Sequence, residues 1–323
     1  MLRVRLVVAA LTAAWLIIGS LPAQAGGLEQ IRSLAGSGAV VAAEASGRLL
    51  VSYHPDRPLI PASILKIVTA AAALEVLGPE FRFITDLALT PGNDLVISGR
   101  GDPLLTSEEI AHIAGRLKTG GLCRVGDIVL EAGFFAPGLV LDGNNHSLNP
   151  YDAYNGALNA NFNTIFVQID PDGKVASAEE QTPLTLLAER VARQSGRSGR
   201  VRLNLAQGPE ACLLYAGQLF EVFLLRAGIQ VSGRVRPASG QERGQRLIYR
   251  HYSRFSLNQV AARMLEHSSN FMANQIFLAM GAQKLGPPAT PAKARTVMAD
   301  YLNGLGLAGM HIEEGSGLSR RTR

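Results

Sequence analysis

The feature that most restricts how this 323-residue chain folds is the run Pro61-Ala62-Ser63-Ile64-Leu65-Lys66, continued by Ile67-Val68-Thr69 and four alanines to Leu77. Apolar residues, mostly good helix formers, lead up to the stop signal Gly78-Pro79, so the spacing predicts a buried helix over 62–77. Its first turn carries a hydroxyl and an amine three residues apart, which places Ser63 and Lys66 on one face. Desolvation penalises a charged lysine, and a neutral amine is then able to take a proton from the serine. The helix N-terminus adds partial positive charge that favours the resulting alkoxide. Ser63 and Lys66 are therefore a candidate acyl-transfer pair, although Ser-x-x-Lys also arises by chance and a serine at a helix start is commonly just a cap.

The chain opens with Arg3 and Arg5, a 13-residue apolar run from Leu6 to Ile18, and Ala23-Gln24-Ala25. That pattern is a secretory signal with a small-residue cleavage site, and the run is too short to span a bilayer. The expected mature chain begins near Gly26 in an exported, periplasmic setting. No second apolar run is long enough to span a membrane. The charge of +5 falls to +3 without the two signal arginines, a mild excess that fits an ordinary solvated, slightly basic surface and would also suit an anionic wall surface. No basic run with interleaved aromatics points to nucleic acid. Cys123 and Cys212 are either paired in an oxidising compartment or two buried thiols. The six histidines show no metal-ligand spacing, so neither a metal nor another cofactor is expected. The elbow Gly-x-Ser-x-Gly and the phosphate loop Gly-x-x-x-x-Gly-Lys are both absent.

Along the chain, residues 28–34 form a short helix, and residues 39–44 and 49–54 form a hairpin around Ala45-Ser46-Gly47-Arg48. From Phe81 the texture changes. Strands are predicted at 83–90, 95–98, 127–130, 162–170 and 201–205, and helices at 106–117, 185–194 and 213–227. Thr106 with Glu109 reads as a capping box. Ser256 with Gln259 makes a second capping box for a helix to His267. Further helices follow at 271–281 and 292–304. The class is α+β. The expected division is a signal peptide (1–25), a discontinuous outer domain (26–80 and 228–323) and an inserted α+β domain (81–227).

A Ser/Lys pair needs a second proton-handling group near the leaving amine and an amide to hold substrate. Three Ser-x-Asn patterns are present. Ser147-Leu148-Asn149 lies in a loop and Ser256 is better explained as a cap. Ser268-Ser269-Asn270 falls at a helix–helix junction, which brings both side chains out of one turn, so Ser268 and Asn270 are the candidates.

Six ordered blocks carry a resemblance: Pro-Ala-Ser-x-x-Lys (61–66), Gly-x-Gly-Asp-Pro-x-Leu-Thr (99–106), Gly-Asp-Ile-Val-Leu (126–130), Ala-Leu-Asn-x-Asn-x-Asn (157–163), Ser-Ser-Asn (268–270) and Gly-Ser-Gly-Leu-Ser-Arg (315–320). Together they resemble the penicillin-binding protein 4 family of serine-type D-Ala-D-Ala carboxypeptidases and endopeptidases. The resemblance implies a penicillin-binding-protein/β-lactamase-like transpeptidase domain, an antiparallel sheet flanked by helices, carrying an inserted domain. It implies Ser63 as nucleophile, Lys66 as base, Ser268 as proton relay and Asn270 as a substrate-binding residue. Peptidoglycan stem peptides are the implied partners, with β-lactams as inhibitors.

The family's third motif, Lys-Thr-Gly, lies on a strand beyond the 315–320 block, and the sequence stops at Arg323. The expectation is a C-terminally incomplete transpeptidase-like domain. Lys118-Thr119-Gly120 comes too early in the chain and closes a helix, which is ordinary stop chemistry. Two other readings follow from the same residues: an inactive cell-wall-binding pseudoenzyme, and a class C-like β-lactamase or esterase built on the Ser/Lys pair. Arg100-Gly101-Asp102 is read as a tight turn, Tyr301-Leu302-Asn303 as helix packing, and Met264, Met272, Met280 and Met298 as core fillers.

Overall fold

The structure, a computed structural model, describes residues 23–240 and 244–323. The predicted signal run lies outside the described residues, and its small-residue triplet opens helix α1 (Ala23–Ala35). Among the described residues no helix is long and apolar enough to cross a membrane. The chain divides into two compact units at Leu59/Ile60.

The first unit holds α1 and the predicted hairpin, β1 (Val40–Ala43) paired antiparallel with β2 (Leu49–Tyr53). Gly47, at φ +87°, makes the turn, and its N–H donates to the Glu44 carbonyl at 2.9 Å. Val41, Leu49 and Leu50 on this ribbon are exposed.

The second unit, 60–323, has two principal cores. One is helical. A 3₁₀ turn (Ala62–Ile64) leads directly into α2 (Leu65–Leu77), which packs on α6 (Leu257–Glu266), α7 (Asn270–Leu285) and, more lightly, α8 (Pro291–Gly304). Helix α7 is buried continuously from Phe271 to Ala282, because its sequence is apolar on every side and other elements must enclose it. It runs to Leu285, one turn past the predicted stop at Gly281. Leu65, Ala72, Ala73, Val260, Met264, Phe277, Met280 and Met298 meet in this core, so the methionines fill it as expected. Burial of each large side chain there contributes about 1.5–3 kcal/mol.

The other core lies under a five-stranded mixed sheet of order β11-β6-β4-β3-β12. Its members are β3 (Ile84–Leu89), β4 (Leu95–Gly99), β6 (Ile128–Glu131), β11 (Val235–Pro237) and β12 (Arg246–Tyr252). Strand β6 runs parallel to both β4 and β11, whereas β3 pairs antiparallel with β4 and β12. A two-stranded parallel pair joins β5 (Arg124–Val125) to β10 (Gln230–Val231). A three-stranded antiparallel sheet, β8-β7-β9, is built from Val175–Ser177, Thr164–Ile169 and Gly199–Asn204. Helices α3 (Ser107–Thr119), α4 (Leu186–Gln194) and α5 (Pro209–Arg226) cover these sheets, with Tyr215, Phe220, Ile110 and Ile113 fully enclosed. The class is α+β, with open sheets flanked by helices. Strands β10, β11 and β12 follow residue 228 yet bond to β5, β6 and β3, so pairing continues across the expected 227/228 boundary.

Two local expectations are revised. Thr106 makes no side-chain cap bond, and Glu109 does not close a capping box. Glu109 is fully buried and bonds instead to His251 at 2.9 Å and to Arg254. A carboxylate enclosed by protein gains more from an arginine and an imidazole N–H than from one backbone amide. The cysteines match neither expected arrangement: both are free, with Cys123 exposed and Cys212 buried. The Ser256–Gln259 capping box forms as predicted, the Gln259 side chain accepting from Ser256 N–H at 3.0 Å.

Candidate active site

Ser63 is exposed on the 3₁₀ turn that opens α2, one turn before the buried Lys66. Lys66 Nζ lies 3.0 Å from Ser63 Oγ, and it donates to the Ser316 carbonyl, also at 3.0 Å. Burial pushes the amine's proton affinity below the ordinary lysine range, and the nearby negative charge of Glu314 partly opposes that shift. A lysine 1 % exposed, with a serine oxygen on one side and a carbonyl on the other, is arranged to hold a lone pair towards the hydroxyl. Ala62, just before the serine, has φ +48°, a left-handed value costly for a residue with a Cβ; such strain gathers at functional sites.

The segment 314–319 encloses the lysine. Thr69, one turn beyond it on α2, donates from Oγ1 to the Gly315 carbonyl at 2.7 Å. The Gly315 N–H donates to Asn274 Oδ1 of α7 at 2.8 Å. The tail thus ties the head of α2 to the first turns of α7. The glycines of Gly-Ser-Gly have a steric reason. A Cβ on Gly317, whose φ is +81°, would lie 1.8 Å from the Ala62 carbonyl oxygen, and one on Gly315 would lie 2.7 Å from the Ala273 oxygen.

Ser268 and Asn270 occupy the turn between α6 and α7. Ser268 is exposed at φ +49°, and Asn270 is half-buried as the first residue of α7. Neither side chain has a hydrogen-bond partner among the described residues, and neither is bonded to Ser63 or Lys66. Ser269 takes the capping duty, its Oγ accepting from Met272 N–H at 3.2 Å, which leaves its neighbours available. The structure therefore joins Ser63 directly to Lys66 and connects them to α7 through the 314–317 segment.

The competing patterns have structural explanations. Ser147 Oγ donates to Asp152 at 2.5 Å inside its loop. Lys118 donates to the Gly228 carbonyl at 2.8 Å and Thr119 to the Gly115 carbonyl at 2.9 Å, so Lys118-Thr119-Gly120 closes α3. Asp102 is buried and accepts from Leu104 N–H at 2.8 Å, and Tyr301 packs within α8. Among the described residues no group of three or more His, Cys, Asp or Glu side chains is placed to hold a metal ion. A cavity of about 1000 Å³ opens elsewhere, between the ends of β4 and β6 and the last turns of α7, with Glu131, Phe135 and Gln283 in its wall. Sequence reasoning missed Thr69, Asn274, Glu314 and Ser316. The Gly-Ser-Gly block flagged the segment of Glu314 and Ser316, but the contacts that tie it to Lys66, Thr69 and Asn274 bridge 41 to 250 positions.

The chain is 28% identical over 334 residues to a D-alanyl-D-alanine carboxypeptidase from an Actinomadura species, covering 88% of this chain and 61% of the relative. It is 23% identical to the D-alanyl-D-alanine carboxypeptidase DacB of Haemophilus influenzae, covering 84% of this chain and 65% of that one. The chain thus spans somewhat under two thirds of the length of these curated relatives. Its fold matches the crystal structure of penicillin binding protein 4 (dacB) from Haemophilus influenzae with a TM-score of 0.73 at 22% identity, over 91% of this chain and 74% of that one. Residues 23–201 and 202–323 match one family, and the chain belongs to it: the D-Ala-D-Ala carboxypeptidase 3 (S13) family.

Proposed function

We propose that this chain carries the acylating Ser/Lys pair of a periplasmic, serine-type D-Ala-D-Ala carboxypeptidase or endopeptidase acting on peptidoglycan stem peptides and inhibited by β-lactams. The observation that carries the reading is the 3.0 Å approach of a buried Lys66 amine to the exposed Ser63 hydroxyl. Lys66 takes the hydroxyl proton as Ser63 Oγ bonds to the carbonyl carbon of the penultimate D-alanine. The carbon–nitrogen bond then breaks, and the proton passes from Lys66 through the Ser268 hydroxyl to the departing amine. Asn270 holds the substrate's peptide group. Water later cleaves the ester, returning the proton to Ser63. The division that suits this reading has an inserted unit beginning near residue 81 and ending beyond β12, near residue 252, since the shared sheet includes that strand.

A fluorescent penicillin tests the reading. Wild-type protein takes up one label per chain, and Ser63→Ala takes up none while keeping its melting temperature. Folded wild-type protein that stays unlabelled overturns it. Muropeptide binding without D-alanine release would indicate a pseudoenzyme, and nitrocefin turnover faster than peptide cleavage would indicate a β-lactamase.

A further inference from the structure

Glu314 is fully buried, and no role in the reaction described above uses it. Its Oε2 accepts from the Ser316 N–H at 2.8 Å and the Ser316 hydroxyl at 2.6 Å. Its Oε1 accepts from Gly317 N–H at 2.7 Å and Ser319 N–H at 3.3 Å. Three backbone amides and one hydroxyl therefore converge on a single carboxylate, and the chain from 315 to 319 is wound around it. An acceptor-only group with four donors is a rigid centre, because leaving any of those buried donors unmet is costly.

The wound segment ends at the reaction centre. The residue that gives Glu314 both an amide and a hydroxyl, Ser316, also presents the carbonyl that receives the Lys66 amine. We propose that Glu314 is a positioning residue for the Ser63/Lys66 pair: by folding the 315–319 turn around its carboxylate it fixes the Ser316 carbonyl, and that carbonyl aims the amine at the serine. This rests on the acyl-transfer reading above and adds to it what orients the base. The carboxylate's charge also reaches the amine and favours its protonated form against the effect of burial. The other groups around the amine are neutral: Ser63 and Thr69 on α2, Ser316 on the tail, and Asn274 holding that tail from α7. Farther along the same tail, Asp142 takes the Ser319 hydroxyl and pairs with Arg321 at 2.9 Å, and Glu313 faces His311, Arg295 and Arg321.

The test compares wild type, Glu314→Gln, Glu314→Asp and Ser316→Ala. Penicillin acylation is followed from pH 5 to pH 10, and the Lys66 amine is titrated directly by NMR of the ¹³C-dimethylated protein, assigned with Lys66→Arg. Glu314→Gln keeps its shape, loses the charge and leaves donors facing an amide nitrogen. Its plateau acylation rate should fall roughly tenfold to a hundredfold from misplacement of the base. Its Lys66 titration and the midpoint of its pH profile should both move to lower pH. Glu314→Asp should recover the wild-type midpoint more fully than the plateau. Ser316→Ala, which keeps the carbonyl and loses only the hydroxyl bond, should reproduce a smaller loss of plateau rate, and it decides the matter if Glu314→Gln does not fold. A folded Glu314→Gln protein with wild-type plateau, midpoint and Lys66 titration overturns the proposal, as does a Ser316→Ala protein with an unchanged plateau. If wild type is never acylated, the functional reading fails while the Lys66 titration still judges the role of Glu314.

Discussion

Lys66 has an amine hemmed in by protein, and its chemistry follows from that enclosure. Because burial holds its proton affinity below the ordinary lysine value of 10.5, the neutral form builds up at lower pH than for a surface lysine. Acylation of Ser63 is expected to rise with pH and level off below that value, as a stopped-flow profile with a chromogenic β-lactam would record. Lys66→Met should lower the acylation rate about 10²- to 10⁴-fold, the usual reach of a positioned base. Stability follows the same linkage. Between the depressed value and 10.5 the unfolded chain binds more protons, so wild-type stability rises with pH across that window, and Lys66→Met removes the slope. Gly317→Ala is expected to cost about 1–3 kcal/mol for the left-handed backbone alone, plus displacement of the Ala62 carbonyl. Its readouts are a lower urea midpoint and slower acylation.

Helix α3, strand β12 and the 99–106 loop meet over a buried polar junction. Glu109 of α3 pairs with His251 of β12 and with Arg254 beyond it. Burial works against its charge, but hydrogen bonds from His251 and Arg254 win and hold the carboxyl below its usual range. Glu109→Ala should cost about 1–3 kcal/mol, because it leaves the buried His251 ring nitrogen without its hydrogen-bond partner. Asp102 nearby behaves in the opposite way. Burial pushes its carboxyl up to about 6, with the Leu104 amide opposing, and its Oδ2 has no partner among the described residues. A carboxyl with raised proton affinity favours the fold fully below the ordinary carboxyl value of 3.8, and loses that contribution as pH rises through about 6. The difference is up to about 3 kcal/mol. Asp102→Asn should therefore remove a fall in stability between pH 4 and pH 6, measured as urea midpoints across that range. The opposing Glu109 contribution remains in both proteins.

For the whole molecule, what was legible in the sequence divides by distance along the chain. The hairpin at Gly47, the helix beginning after Ser63, the Ser256 cap and the Ser63/Lys66 spacing are local, set by turn residues, caps and a separation of three residues. Glu109 misled because its sequence neighbours fit a cap, while its winning partners lie more than 140 positions away. Asn274 and Ser316 were invisible for the same reason, since their partners Gly315 and Lys66 lie 41 and 250 positions away, whereas Glu314 bonds within its own turn and no residue type there marks the turn as wound around a carboxylate. The cysteines were also undecided by spacing. With Cys123 exposed and Cys212 enclosed, its thiol pushed up to about 12 by burial, a thiol reagent should titrate one group in the folded protein and two in urea.

The bond between Lys66 and Ser316 joins positions 250 apart. During synthesis the serine-bearing helix therefore emerges long before the carbonyl that receives its amine. Until residues 314–317 close over the lysine, Lys66 has only its contact with Ser63.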